Sequence, residues 1–385
     1  MSIALWAAWG AAALGLAGLA AAGASDMSRT TLWKAGESGY ETYRIPGIVV
    51  TPRGTILAYA AARRRIADGD WSDTDIVMRR SEDGGVVWQP SRRIAGAGRG
   101  VTANPVALPD RQTGAVHFLY QTGYDHCFYM RSVDDGRSFS KPVDITGVLE
   151  GFRPRYAWTV IAPSVGHAIQ LRSGRLLAPI WMARGKETSP GRREHAPSAV
   201  ATIYSDDHGD TWRRGAIVAE NSPALPNPSE TMAVELADGR VMVNMRTTSA
   251  RHRRAVSISP DGISRWSPPR FDEALFDPIC AASVVRYTSA PRDAKNRLLF
   301  SNPDSEPLPD SAKSGYRLRR RLTLRLSEDD GETWPVERVI EPGSAGYSDL
   351  AVGPNGAISC IYEAALKPGS RASSVVFRGV PGFAR

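Results

Sequence analysis

The chain has 385 residues, enough for one large domain or two ordinary ones, and 42% of them are hydrophobic, which supports a sizeable core. Its formal net charge is +8, but the excess is arginine scattered along the chain with no basic stripe interleaved with aromatics, so nucleic acid is not an expected partner. Three cysteines (Cys127, Cys280, Cys360) and six histidines lack the spacing of a disulfide framework or a metal site; the thiols are expected free and buried, and no metal is called for.

Residues 2–24 carry no charge and are rich in Ala, Leu and Gly, and Ala22-Gly23-Ala24 fits a small-x-small cleavage site. Residues 1–26 are therefore expected to be a signal peptide or leader, and the protein secreted or periplasmic; a start at Met27 would make it cytoplasmic. The next stretch is Tyr43-Arg44-Ile45-Pro46-Gly47-Ile48-Val49-Val50. Its β-branched run from Ile45 reads as a buried strand, and Pro46 marks a strand beginning or edge. Arg44 is thereby held at the end of a core strand, and arginine is costly to bury unless an anion meets it.

From residue 30 onward short β-type runs alternate with turn clusters: Thr55–Ala61, Ile76–Met78, Ala115–Tyr120, Arg175–Met182, Ala199–Tyr204, Val241–Arg246, Leu322–Leu326 and Ala357–Tyr362. No long amphipathic helix is expected. Ser173-Gly174, Asp238-Gly239 and Asn355-Gly356 are hairpin signals.

A repeat runs through these strands. Ser81-x-Asp83-x-Gly85-x-x-Trp88, Ser205-x-Asp207-x-Gly209-x-x-Trp212 and Ser327-x-Asp329-x-Gly331-x-x-Trp334 share one pattern. Ser132 to Phe139 fits with Phe last, and Ser259-Pro-Asp261-Gly262 is a degenerate fifth copy. The pattern is that of a stapled turn: Asp accepts backbone N–H bonds, Gly permits positive φ, and the aromatic packs beneath the hairpin. Starts 51, 73, 54 and 68 residues apart suit one four-stranded sheet per copy. The expectation is an all-β, six-bladed β-propeller over residues 27–385, with blades of roughly 50–60 residues. The aspartates of the repeat are turn residues, not catalytic ones.

These repeats resemble the Asp boxes of sialidases, and Tyr43-Arg44-Ile45-Pro46 resembles that family's F/Y-R-I-P motif. With Asp70-Trp71 and Asp75 to Ser81 following in order, residues 30–365 resemble bacterial exo-α-sialidases, retaining glycoside hydrolases that release terminal sialic acid. That substrate carries a carboxylate on its anomeric carbon, and arginine's planar fork suits such a group. The resemblance implies an arginine triad of Arg44, Arg246 (in Val243-Asn244-Met245-Arg246) and Arg319, with Arg317 and Arg320 as competitors for the third place. It implies that Glu363, in Tyr362-Glu363, pairs with Arg44. It makes Tyr347, in Tyr347-Ser348-Asp349, the nucleophile and Glu230 its base, since a carboxylate nucleophile would be repelled by the substrate's own. Asp70 becomes the acid/base, with Asp68 and Asp73 as rivals, and Arg65, or Arg64 on a one-residue slip, lies near the sugar's C4 hydroxyl. Sialylated glycans are the implied partners; no cofactor and no stable membrane partner are implied, and the oligomeric state is left open. A trans-sialidase, a hydrolase of a related nonulosonic acid and a non-catalytic glycan-binding propeller are the alternatives.

Overall fold

The computed structural model describes residues 29–365, 370 and 372–383, so the expected leader at 1–26 lies outside the described residues. Six four-stranded antiparallel sheets follow one another along the chain, with a short extra strand in the third. Blade I is Thr42–Val50, Ile56–Arg63, Thr74–Ser81 and Arg92–Ala95. Blade II is Thr102–Pro109, Val116–Thr122, His126–Ser132 and Val143–Asp144, and blade III is Val160–Pro163, Leu176–Ala183, Ser198–Ser205 and Arg213–Glu220. Blade IV is Thr231–Glu235, Val241–Met245, Arg253–Ser259 and Arg270–Phe276; blade V is Ser283–Thr288, Arg297–Pro303, Arg320–Ser327 and Val336–Ser344. Blade VI takes Ser348–Val352, Ile358–Ala365 and Ser373–Val380 from the end of the chain, and its fourth strand, Arg29–Trp33, from the beginning. Joining first and last strands in one sheet closes the ring. Among the described residues no helix is long and apolar enough to cross a membrane.

The core is a ring of seams. Apolar clusters lie between blades I and VI, I and II, II and III, III and IV, IV and V, and V and VI. Both faces of each sheet are thus packed, which is why residues 56–62 and Leu176–Ala183 are apolar throughout rather than alternating. The three thiols are buried and free.

The Asp boxes sit on the hairpins between the third and fourth strands of blades I to V. In the copy of blade III, Ser205 Oγ donates to Asp207 Oδ1 (2.7 Å) and accepts from the Gly209 N–H (2.8 Å), while Asp207 accepts from the Thr211 N–H (2.9 Å). Gly209 has φ +85°, and a Cβ there would lie 2.4 Å from the Tyr129 hydroxyl of blade II. Trp212 packs on the same Tyr129, so the turn braces one blade against its predecessor. Six blades carry five boxes because in blade VI the third and fourth strands are the two ends of the chain, with no hairpin to staple.

The strand directions set the site's location. First and third strands run one way, second and fourth the other, so the boxes and the hairpins at Gly174, Gly239 and Gly356 share one face of the ring. Residues at the beginning of a first or third strand, or the end of a second, lie on the opposite face. Arg44, Arg63, Arg246, Arg319, Tyr347 and Glu363 all occupy such positions.

One carboxylate ties the ring near its axis. Fully buried Asp349 of blade VI accepts from the Ile48 N–H of blade I (2.9 Å) and from Ser283 Oγ of blade V (2.8 Å), and His167 Nδ1 of blade III lies 2.8 Å away. Removing it leaves those buried groups without an acceptor. Asp349→Ala is expected to cost about 3–5 kcal/mol of stability, read as a lowered midpoint in urea unfolding, and a midpoint shift under 1 kcal/mol (about the size of a surface change) would contradict this role.

Candidate active site

Arg44 belongs to the first strand of blade I, where the ladder to the second strand breaks between Arg44 and Gly47. The strand begins at Thr42, so Pro46 occupies a bulge inside it rather than its first position. Ile45 is held at φ +53°, which is unfavourable for a β-branched residue. What holds it is Glu363: Oε1 accepts from Arg44 Nε (2.6 Å) and from the Ile45 N–H (2.9 Å). Glu363 Oε2 accepts from the Tyr347 N–H (3.2 Å). One buried carboxylate therefore orients the guanidinium, the bulge and the backbone of Tyr347 together. Gly346 makes this possible, since a Cβ there would lie 2.3 Å from Glu363 Oε2.

Tyr347 is buried, and its hydroxyl is the focus of the site. It donates to Glu230 Oε1 (2.5 Å) and accepts from Arg246 Nη1 (2.7 Å), which also pairs with Glu230 Oε2. The guanidinium carbons of Arg44 and Arg319 each stand 5.2 Å from the centre of the Tyr347 ring. Arg319 donates to the Ile279 carbonyl (2.7 Å). Arg317 and Arg320 are exposed, the latter paired with Asp310, so Arg319 is the arginine of its segment that reaches the site. Burial pushes the Tyr347 phenol above its ordinary range; Glu230 adds to this, while Arg246, Arg319 and Arg44 oppose it. The phenol is thus neutral at rest, with its proton already aimed at a carboxylate.

Asp70 lies on the loop after the second strand of blade I, in the short turn Gly69–Trp71. Half of its side chain (51%) is open to solvent. Burial of the rest works to raise its carboxyl, but Arg63, then His195 and Arg44, outweigh this and hold it down to about 2. Arg63 Nη2 donates to Asp70 Oδ1 (2.8 Å). The rivals point elsewhere: Asp68 pairs with Arg192 (3.2 Å), and Asp73 accepts from the Gly100 N–H (2.7 Å). Thr42, Arg44, Arg63, Asp70, Arg319 and Glu363 border a cleft of about 340 Å³.

Arg65 lies away from the cleft. Its side chain is 70% exposed and pairs with Asp68 (3.4 Å), two residues beyond the end of the second strand. Arg64 turns to Asp75 (3.0 Å) and the Tyr40 ring. The arginine that lines the cleft is Arg63, the last residue of the apolar run Ile56–Arg63. The signal was present, since a charge that closes an otherwise apolar strand is placed as Arg44 is. His195 and Gly346 also escaped sequence reading: His195 comes from a distant loop of blade III, and Gly346 matters only through Glu363.

The arrangement can bind a carboxylate-bearing ligand in a field of guanidinium groups, present a phenol hydrogen-bonded to a base, and offer a second carboxylate across the cleft. Two outcomes test it. Gly346→Ala should displace Glu363 and reduce turnover by about 10²-fold or more, the scale of breaking a buried ion pair. Arg63→Met should lower kcat/KM by about 10²-fold through loss of a charge-assisted contact, whereas Arg65→Met should leave it within about twofold, as expected of an exposed pair; the reverse order would restore Arg65 to the site.

Residues 54–360 match the family model described as a BNR repeat-like domain. The chain is 32% identical to a sialidase of Micromonospora viridifaciens over 361 residues, covering 85% of this chain and 50% of that protein. It is 26% identical to a sialidase of Bacteroides fragilis, covering 86% of this chain and 62% of that protein. The chain thus spans roughly half to three fifths of the length of these two relatives. Among solved structures, the Hadza microbial sialidase Hz136 shares the fold with a TM-score of 0.73 at 24% identity, over 91% of this chain and 68% of that one.

Proposed function

The chain belongs to the sialidase family of BNR-repeat β-propellers, and from that premise we propose that it is an exo-α-sialidase that hydrolyses terminal sialic acid from glycoconjugates with retention of configuration. The observation that carries the reading is the hydrogen-bonded chain Arg246–Tyr347–Glu230 with two further guanidinium groups over the same phenol ring.

On this reading Arg44, Arg246 and Arg319 hold the substrate's carboxylate, which fixes the anomeric carbon against Tyr347. As Tyr347 Oη attacks that carbon, its proton passes to Glu230, 2.5 Å away. Asp70 protonates the departing glycosidic oxygen, and the aglycone leaves as an alcohol. Asp70 then takes a proton from water, whose oxygen displaces Tyr347, and Glu230 returns the proton to the phenolate. Two displacements at one carbon retain configuration. Arg63 takes the place expected of Arg65, beside the sugar's C4 hydroxyl.

Asp70 is ionised in the empty cleft, so it must gain its proton in the complex. Arrival of an anionic substrate does this in part, because the bound carboxylate offsets the positive field that holds Asp70 down. The assay is release of sugar from a fluorogenic α-sialoside, with the product followed by NMR to record the first anomer formed and any transfer. Tyr347→Phe is expected to lose at least ~10³-fold in kcat through loss of the nucleophile. Arg44→Lys keeps the charge but not the fork and should lose about 10²-fold in kcat/KM. No release by the parent protein, with Tyr347→Phe indistinguishable from it, would overturn the reading.

A further inference from the structure

We propose that His195 is a proton-holding partner of Asp70, a positioning residue that keeps the catalytic proton at the mouth of the cleft and acts only through that carboxylate; the inference rests on the glycosidase reading above.

His195 comes from the loop between the second and third strands of blade III, on the same face of the ring as Asp70. Its Nδ1 stands 3.8 Å from Asp70 Oδ2. Its ring is enclosed by Tyr124, Trp181 and Trp71, with centroids 4.6, 5.2 and 5.9 Å away. This box fixes the ring plane and leaves Nδ1 facing the carboxylate. Among the described residues Nε2 is buried without a hydrogen-bond partner. A separation of 3.8 Å from an ionised carboxylate is too long for an Nδ1–H···O bond, so the neutral ring carries its proton on Nε2 and turns the Nδ1 lone pair, where a further proton can be held, toward Asp70. Asp70 is half exposed, and contacts of this kind are often long before substrate binds.

The groups acting on His195 are Asp70 on the blade I loop, Arg63 at the end of a blade I strand, and Glu230 and Arg246 from blade IV. Burial lowers the imidazole below its ordinary value; Asp70 and Glu230 oppose this, and Arg63 and Arg246 add to it. In the empty site the ring is therefore neutral and Asp70 ionised. A bound carboxylate adds one negative charge beside both, so the pair takes up one proton from solvent. That proton passes from Nδ1 to Asp70 and from Asp70 to the glycosidic oxygen, which keeps the electron pair of the broken C–O bond. In the second displacement water's proton returns to Asp70 and then to Nδ1, while Glu230 reprotonates Tyr347. Charge and protons end as they began.

The test compares two leaving groups in the full chain. Sialyllactose needs its leaving oxygen protonated; a 4-nitrophenyl α-sialoside needs this far less. His195→Gln and His195→Phe (the latter keeping the aromatic packing) are expected to lose about 10–100-fold in kcat on sialyllactose, part of the ~10²–10⁴-fold that general acid catalysis supplies. Loss on the 4-nitrophenyl substrate should stay below about threefold, and the basic limb of the kcat profile for sialyllactose should move at least about one pH unit lower, because Asp70 alone holds the proton less well. Equal losses on both substrates with an unmoved basic limb would reduce His195 to packing and overturn the inference alone. A parent protein that cleaves neither substrate overturns the glycosidase reading, and this inference with it.

Discussion

The constraint on which the rest depends is the burial of guanidinium groups around one phenol. Arg44, Arg246 and Arg319 converge on Tyr347, and Glu363 and Glu230 are the carboxylates bonded to that cluster. Arg63 and Asp70 cancel each other, as do Arg254 and Asp277 beneath. Three positive groups against two negative ones leave one positive charge in a partly buried cleft. Folding has already met the desolvation cost of that charge, so an incoming carboxylate finds a field that needs no reorganisation. Arg319, bonded to a carbonyl and to no carboxylate among the described residues, is where the excess resides.

Holding like charges together demands a rigid frame, and the propeller supplies it by drawing the groups from four different blades. Arg44 and Asp70 come from blade I, Glu230 and Arg246 from blade IV, Arg319 from blade V, and Tyr347 and Glu363 from blade VI. The ring cannot relax by moving one blade, because every blade shares a packed seam with both neighbours and the N-terminal strand closes the last sheet. Glu363 and Asp349 flank Tyr347 along this frame. Glu363 fixes the Arg44 bulge and the Tyr347 backbone; Asp349, two residues on, ties Tyr347's strand to blades I, III and V. The unfavourable φ of Ile45 is a local cost (about 1–3 kcal/mol) that aims its amide at the carboxylate orienting Arg44.

Much of this was legible in the sequence because its signals are local. The Asp boxes announce their turns, and the apolar strands between them announce sheets packed on both faces. Arg44 stood out as a charge at the end of an apolar strand, whereas Arg246, Tyr347 and Glu363 were picked out only by motifs that resemble those of sialidases. What was not legible is what depends on the third dimension. Arg65 was chosen by spacing, yet the second strand ends at Arg63, and two residues decide between the cleft and solvent. His195 lies 125 residues from Asp70 along the chain, and no local pattern sets it apart from the other histidines. Gly346 looks like any turn glycine until the Glu363 carboxylate is placed against it.

On the proposed mechanism, the same electrostatics explain why a tyrosine nucleophile needs its own base. Three guanidinium groups favour the phenolate, but burial and Glu230 disfavour it more, so the resting phenol stays protonated. Binding an anionic substrate strengthens that balance, since its carboxylate screens the very arginines that would have acidified the phenol. A nucleophile activated by the arginine field alone would be switched off by the substrate it attacks. Glu230 removes the contradiction. It is already in contact with the hydroxyl through one oxygen and anchored to Arg246 through the other, so the proton can leave as the new bond forms rather than before it. In the proposed reaction deprotonation is thereby coupled to attack, and no free phenolate need exist beside the bound carboxylate.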